Sequence, residues 1–241
     1  MRHDGETIAY LQRPGKTPGV IWLCGFHSDM QGTKAAALDE WAAKNGRAFL
    51  RFDYFGHGQS SGDFRHGTIT RWRDDALAVL DELTHGPQVL VGSSMGAWIA
   101  LLTAMMRPDR IAALLLIAAA PDFTERLMWE RMPEEIRTQI REKGEWQRPS
   151  MYDDGPYPIT LQLIEDGREH LLLGAPIEVQ SPVHILHGMR DPDVPWTHAT
   201  ELAERLSGNP VVTLTKNGDH RLSKPDHLAL IERILGELLP R

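Results

Sequence analysis

A serine set between two glycines is the feature of this chain that most directly suggests covalent chemistry. In Val89-Leu90-Val91-Gly92-Ser93-Ser94-Met95-Gly96-Ala97 the pattern G-x-S-x-G follows a short apolar run and opens a segment of helical period. That strand–turn–helix context gives the motif its meaning. Gly92 and Gly96 take side chains away where a tight turn brings backbones together, which lifts the Ser94 hydroxyl clear of the preceding strand. The Met95 amide is left at a helix N-terminus, where a developing negative charge is stabilised. On its own, the pentapeptide fits a packing turn equally well.

A serine hydroxyl is a weak nucleophile and needs a base, which in turn needs an acid to orient it. The acid is sought in His187-Gly188-Met189-Arg190-Asp191-Pro192-Asp193, directly after an apolar run. Asp191 is favoured by its place three residues after Gly188, with Asp193 the alternative and the better turn residue. Among 11 histidines, His220 stands out in a turn-rich loop, Lys216-Asn217-Gly218-Asp219-His220, between the last strand run and the last helical segment. His3, His66, His85, His170, His198 and His227 are read as surface or structural residues, and His57 and His187 as structural residues near the site. His184 and His187 fall on opposite faces of a strand, so no zinc site is expected. A second oxyanion donor is expected from the Phe26 amide in Leu23-Cys24-Gly25-Phe26-His27. Cys24 itself reads as a small buried residue. The glycine-rich run of residues 53–62 lacks the third glycine of a dinucleotide fingerprint, because Ser61 stands in its place. It is expected to border the site.

These residues need a scaffold, and the hydrophobic pattern supplies one. Short apolar runs at 8–11, 20–23, 48–52, 89–91, 113–117, 184–186 and 211–214 alternate with helical segments at 33–45, 70–83, 95–106, 197–206 and 225–239. Such alternation predicts an α/β fold, a mostly parallel sheet buried by helices on both faces. The three candidate loops each follow a strand run, in the order Ser94, Asp191, His220. The rhythm breaks at 121–180, which is read as a helical cap insertion within a single domain spanning 1–241. It carries 13 acidic and 7 basic residues, and so −6 of the net charge of −7. Its Met128, Trp129 and Met132 are expected to line an acyl pocket, with Leu127, Trp146, Met151, Tyr152 and Tyr157 packing nearby. Arg126, Arg131, Arg137 or Arg148 is available to receive one carboxylate.

Composition narrows the classes. The 241 residues include 41% hydrophobic and 24% charged side chains, ordinary values for a folded domain. A net charge of −7 argues against nucleic acid as a partner. No apolar run reaches the ~20 residues that span a bilayer. One cysteine fits a reducing compartment, and residues 1–6 lack a secretory leader, so a cytoplasmic location is expected. Oligomeric state is not legible.

The motif order resembles that of the α/β-hydrolase superfamily over essentially the whole chain. The stretches Gly32-Thr33-Lys34-Ala35, Arg51-Phe52-Asp53-Tyr54, Gly92-Ser93-Ser94-Met95-Gly96, His187-Gly188-Met189-Arg190-Asp191 and Asp219-His220-Arg221 are similar to the branch of mitochondrial palmitoyl-protein thioesterases that also cleave acyl glucuronides. The resemblance implies a serine hydrolase without a cofactor, using Ser94, Asp191 and His220 on esters or thioesters of small molecules or acylated proteins. The absence of an Arg/Ser-rich presequence is a departure from that branch. The same scaffold also carries ligand-binding proteins, C–C bond hydrolases and cofactor-free peroxidases, which remain the alternatives.

Overall fold

The computed structural model describes residues 5–149 and 155–239. Its strands form where apolar runs are short and bounded by turns. They are β1 (Tyr10–Arg13) and β2 (Lys16–Leu23), then β3 (Arg47–Phe52) after helix α1 (Thr33–Lys44), and β4 (Gln88–Ser93) after α2 (Ile69–Leu83). Helix α3 (Met95–Met106) leads to β5 (Ile111–Ile117). The chain then leaves the sheet for α4 (Glu134–Lys143), β6 (Glu145–Arg148), β7 (Tyr157–Thr160) and α5 (Leu161–Arg168). It returns through β8 (Val183–Gly188), α6 (Thr197–Arg205), β9 (Val211–Thr215) and α7 (Pro225–Leu238).

The seven-stranded sheet runs β1-β3-β2-β4-β5-β8-β9. Every pairing is parallel except the antiparallel edge β1–β3. Strand β4 lies at the centre and is buried at all six positions, which is why it reads as a continuous apolar run without alternation. Helix α3 is buried from Met95 to Ala104 because sheet, α2 and insertion surround it. Helix α2 starts on Thr68, whose hydroxyl accepts the Arg71 amide at 3.1 Å, a side-chain cap of the ordinary kind.

Two expectations change. The first strand lies two residues later than the apolar run, because its pairing, Tyr10 opposite Phe52, follows β3 and not a buried face. The insertion was expected to hold no strand, yet β6 and β7 pair antiparallel with Trp146 opposite Ile159. Four-residue strands, one interrupted by Pro158, carry too little pattern to be read. Met151 and Tyr152 lie outside the described residues.

The β4–α3 turn is the tightest point of the fold. A Cβ on Gly96 would sit 2.1 Å from the Leu23 carbonyl oxygen and 2.5 Å from that of Cys24. One on Gly92 would sit 2.4 Å from the Gly96 oxygen. All three obstacles are backbone, so relief requires the sheet and helix to separate. Gly96→Ala is therefore expected to destabilise the fold by about 1–3 kcal/mol or more. Urea unfolding checks this, and an unchanged midpoint would contradict the close approach.

Candidate active site

Ser94 occupies the turn between β4 and α3 at φ 55°, ψ −117°, a conformation that costs a non-glycine residue on the order of 1–3 kcal/mol. The surroundings hold it there. Its amide donates to the Ile117 carbonyl at 2.9 Å, and its own carbonyl accepts the amides of Ala97 at 3.0 Å and Ala120 at 3.3 Å. Ser94, Asp191 and His220 follow β4, β8 and β9, so all three stand at the carboxyl edge of the parallel strands, the usual place for sites in open α/β sheets.

The structure brings these three side chains together. His220 Nε2 lies 3.1 Å from Ser94 Oγ, and His220 Nδ1 lies 2.7 Å from Asp191 Oδ2. Asp191 Oδ1 accepts the amides of Asp193 and Val194, each at 2.9 Å. His187 Nε2 is 3.4 Å from Asp191 Oδ2 and 3.0 Å from the Val194 carbonyl oxygen. Burial pushes the Asp191 carboxyl up, but hydrogen bonds from His187 and His220, the His220 charge and the Val194 amide outweigh it. The carboxyl is held well below the usual carboxylate range. The Asp193 amide closes the turn that wraps Asp191. The contribution of His187 to the acid was not read from the sequence, because it depends on how β8 and the following loop pack.

Asp191, Asp193 and His220 also form the one group of three potential metal ligands within 4.8 Å among the described residues. Both Asp191 oxygens are already committed, one to two amides and the other to two imidazoles. That donor set suits a proton relay better than a cation.

Two backbone segments border Ser94 where the oxyanion donors were expected. Met95 is the first residue of α3, so its amide has no acceptor inside the helix. In the loop after β2 the Ser28 amide closes onto the Gly25 carbonyl at 3.2 Å, and the His27 amide donates to His57 Nε2 at 3.3 Å. The Phe26 amide has no acceptor among the described residues. Cys24 beneath this loop is fully buried. Burial first, and then the Asp53 and Asp29 carboxylates, push its thiol well up, so it is not a poised nucleophile.

Two cavities meet at Ser94. One, of about 320 Å³, is polar and includes His27, Thr33, Lys34 and Arg221. Lys34 Nζ donates to the Arg221 carbonyl, tying α1 to the His220 loop, and burial lowers its ammonium from 10.5 to about 8. The other, of about 390 Å³, is lined by Phe26, Ala120, Phe123, Leu127, Met128 and Tyr157, with Arg131 and Arg148 also present. Of the three expected pocket residues, only Met128 lines it. Trp129 and Met132 are buried in the core packing instead. The Trp129 ring lies between the guanidinium groups of Arg141 and Arg168, 5.1 and 5.2 Å from its centre. The cause is a π-helical turn, Phe123–Met128, passing into a 3-10 turn at Trp129–Arg131. This rotates adjacent residues to different faces. Arg126 and Arg137 are occupied by Glu201 and Glu134.

The sequence profile described as the Alpha/beta hydrolase family matches residues 20–232, and the chain belongs to this family. It is 38% identical over 242 residues to the Homo sapiens protein named palmitoyl-protein thioesterase ABHD10, mitochondrial, covering all of this chain and 79% of that relative. A crystal structure from Agrobacterium vitis S4 matches with a TM-score of 0.95 at 42% identity, covering 100% of this chain and 96% of that one. Alpha/beta hydrolase domain-containing protein 10 from mouse matches with a TM-score of 0.91 at 39% identity, covering 99% and 96%. The relatives from Bos taurus, Pongo abelii, Mus musculus, Homo sapiens and Rattus norvegicus are all named mitochondrial. This corrects the expected cytoplasmic location. No helix among the described residues is long and apolar enough to cross a membrane.

The site's electrostatics predict how stability depends on pH. Burial lowers His57 to about 4, and also lowers His170, His184 and His198. Below about pH 6.5 the unfolded chain takes up protons that these folded rings refuse, so stability falls as the pH drops. Asp191, held low, adds its own loss only in stronger acid. The urea midpoint is expected to be lower at about pH 5 than at about pH 7. Equal midpoints would contradict burial of neutral rings.

Proposed function

We propose that the chain is a serine hydrolase cleaving carboxylic esters or thioesters of acyl groups through an acyl-enzyme on Ser94. The observation that carries this reading is the continuous relay Asp191–His220–Ser94, with contacts of 2.7 and 3.1 Å, set where an apolar and a polar cavity meet. His220 accepts the Ser94 proton as the serine oxygen attacks the acyl carbonyl carbon, and Asp191 fixes the imidazole with Nδ1–H toward its carboxylate. The oxyanion is received by the Phe26 and Met95 amides, where one donor contributes about 3–4 kcal/mol. His220 then protonates the departing alcohol or thiol as its bond to the acyl carbon breaks. It next takes a proton from water as the water oxygen attacks the acyl-enzyme carbonyl, and returns that proton to Ser94 Oγ as the acyl–serine bond breaks and the acid is released.

The apolar cavity suits the acyl chain and the polar one the leaving group. The relatives named palmitoyl-protein thioesterase support acylated proteins as substrates.

Two expected outcomes test the reading. A fluorophosphonate labels Ser94, and Ser94→Ala abolishes both labelling and p-nitrophenyl ester turnover. Asp191→Asn lowers kcat by about four orders of magnitude, whereas Asp193→Asn costs far less. Full activity of Ser94→Ala would reassign the nucleophile, and absence of turnover in the wild-type protein would leave a ligand-binding role instead. For the acyl cavity, each buried methylene adds about 0.8 kcal/mol, so kcat/KM rises with chain length until the cavity is full. Met128→Ala moves that optimum. Trp129→Ala costs about 3–5 kcal/mol of stability and leaves the optimum in place. An optimum moved by Trp129→Ala and not by Met128→Ala would reassign the cavity wall.

A further inference from the structure

The loop that presents the Phe26 amide is not held by its own turn alone. His57, from the segment between β3 and α2, is 4% exposed. Its Nε2 accepts the His27 amide at 3.3 Å and its Nδ1 lies 3.1 Å from the Phe55 carbonyl oxygen. These two partners require one tautomer, with the proton on Nδ1 donated to Phe55 and a bare Nε2 facing His27. Burial, which lowers the ring to about 4, keeps it neutral and able to accept. His27 needs this partner. It is a non-glycine residue at φ 53°, in the left-handed region that side chains disfavour, and its ring stacks on Tyr157 at 4.8 Å. The same segment grips the loop further on, where Asp53 Oδ1 accepts the Met30 amide at 2.7 Å and its Oδ2 accepts Gln59 at 2.8 Å.

We propose that His57 is a positioning residue for the oxyanion loop, acting as a hydrogen-bond acceptor that fixes the Phe26–His27 peptide and so aims the Phe26 amide. The inference rests on the reading of Ser94 as nucleophile. The competing role is to fill space, since the His57 ring packs edge-on against Phe64 at 5.0 Å and Trp72 at 5.2 Å.

The two roles separate by chemistry of substitution. His57→Phe keeps a flat ring among Phe64 and Trp72 but removes the acceptor. His57→Gln loses the ring but places a carbonyl oxygen near the position of Nε2. A positioning role predicts that His57→Phe lowers kcat roughly ten- to a hundredfold, somewhat less than loss of a whole oxyanion donor. KM for p-nitrophenyl butyrate stays within about twofold, because a donor made productive only in the transition state acts on kcat. Affinity for an aryl trifluoromethyl ketone, whose adduct with Ser94 carries the oxyanion, falls in parallel, and His57→Gln recovers most of both losses. If His57→Phe does not fold, His57→Met against His57→Gln makes the same comparison. Wild-type kcat in His57→Phe or His57→Met overturns the inference. So does a His57→Gln variant that is no better than either, with losses that follow the unfolding midpoint. Failure of the ketone to inhibit the wild-type protein overturns the reading of Ser94 itself, and the inference with it.

Discussion

The backbone conformation of Ser94 is the constraint on which the rest of the structure depends. A serine at φ 55°, ψ −117° does not hold that shape by local preference, so the surroundings must over-determine it. They do so with three backbone hydrogen bonds, to Ile117, Ala97 and Ala120, which tie β4, α3 and the end of β5 at one point. Gly92 and Gly96 let these elements close to distances that no Cβ tolerates. The strain is therefore carried by the most completely buried part of the molecule, β4 and the first three turns of α3. There, separation would expose the most apolar surface.

Around that fixed point, polar groups are arranged by two different physical solutions. Asp191 is a buried carboxylate kept ionised because its hydrogen bonds exceed the desolvation that opposes them. Two amides and two imidazoles satisfy its oxygens, and the charge is thereby confined to a single orientation facing His220. The loop holding Phe26 is the reverse case, its amides held by side-chain acceptors. His57 and Asp53 take the amides of His27 and Met30, leaving the intervening geometry set from the flank and not from beneath. In the proposed mechanism, one half of the site concentrates negative charge to orient a base, and the other keeps donors free for a charge that would arrive only during reaction.

What could be read from the sequence divides along the range of the interactions. Ser94, Asp191 and His220 were legible because each sits in a short motif whose glycines and turn residues answer to local backbone demands, and because strand rhythm put all three loops on one edge. The seven sheet strands were legible for the same reason, apart from a shift in β1, where pairing and not burial decides position. Trp129 and Met132 were chosen by residue type within the insertion, which does not tell facing, and the π-helical turn at Phe123–Met128 passing into the 3-10 turn at Trp129–Arg131 leaves only Met128 of the three on the cavity. His187 and His57 were taken as structural because their partners, Asp191 and the His27 amide, depend on loops meeting across the fold. Phe123 and Ala120 were missed as cavity walls because an alanine or phenylalanine after a buried strand reads simply as core.

Phe26 joins the two halves. Its ring meets Phe64 at 5.1 Å, Phe123 at 5.5 Å, and Trp72 and Tyr157 each at 5.8 Å, so it packs on the Phe64–His66 turn, α2 and the insertion together. The same residue lines both cavities at Ser94, and its amide has no acceptor among the described residues. On the proposed serine-hydrolase reading, an acyl chain entering between Phe26, Phe123 and Tyr157 would displace water from the ring that anchors the proposed oxyanion donor. Apolar contact made far from the carbonyl would then steady the donor at the carbonyl. Binding energy from the unreactive chain would in this way be directed to the reacting atoms, as differential stabilisation of a transition state requires.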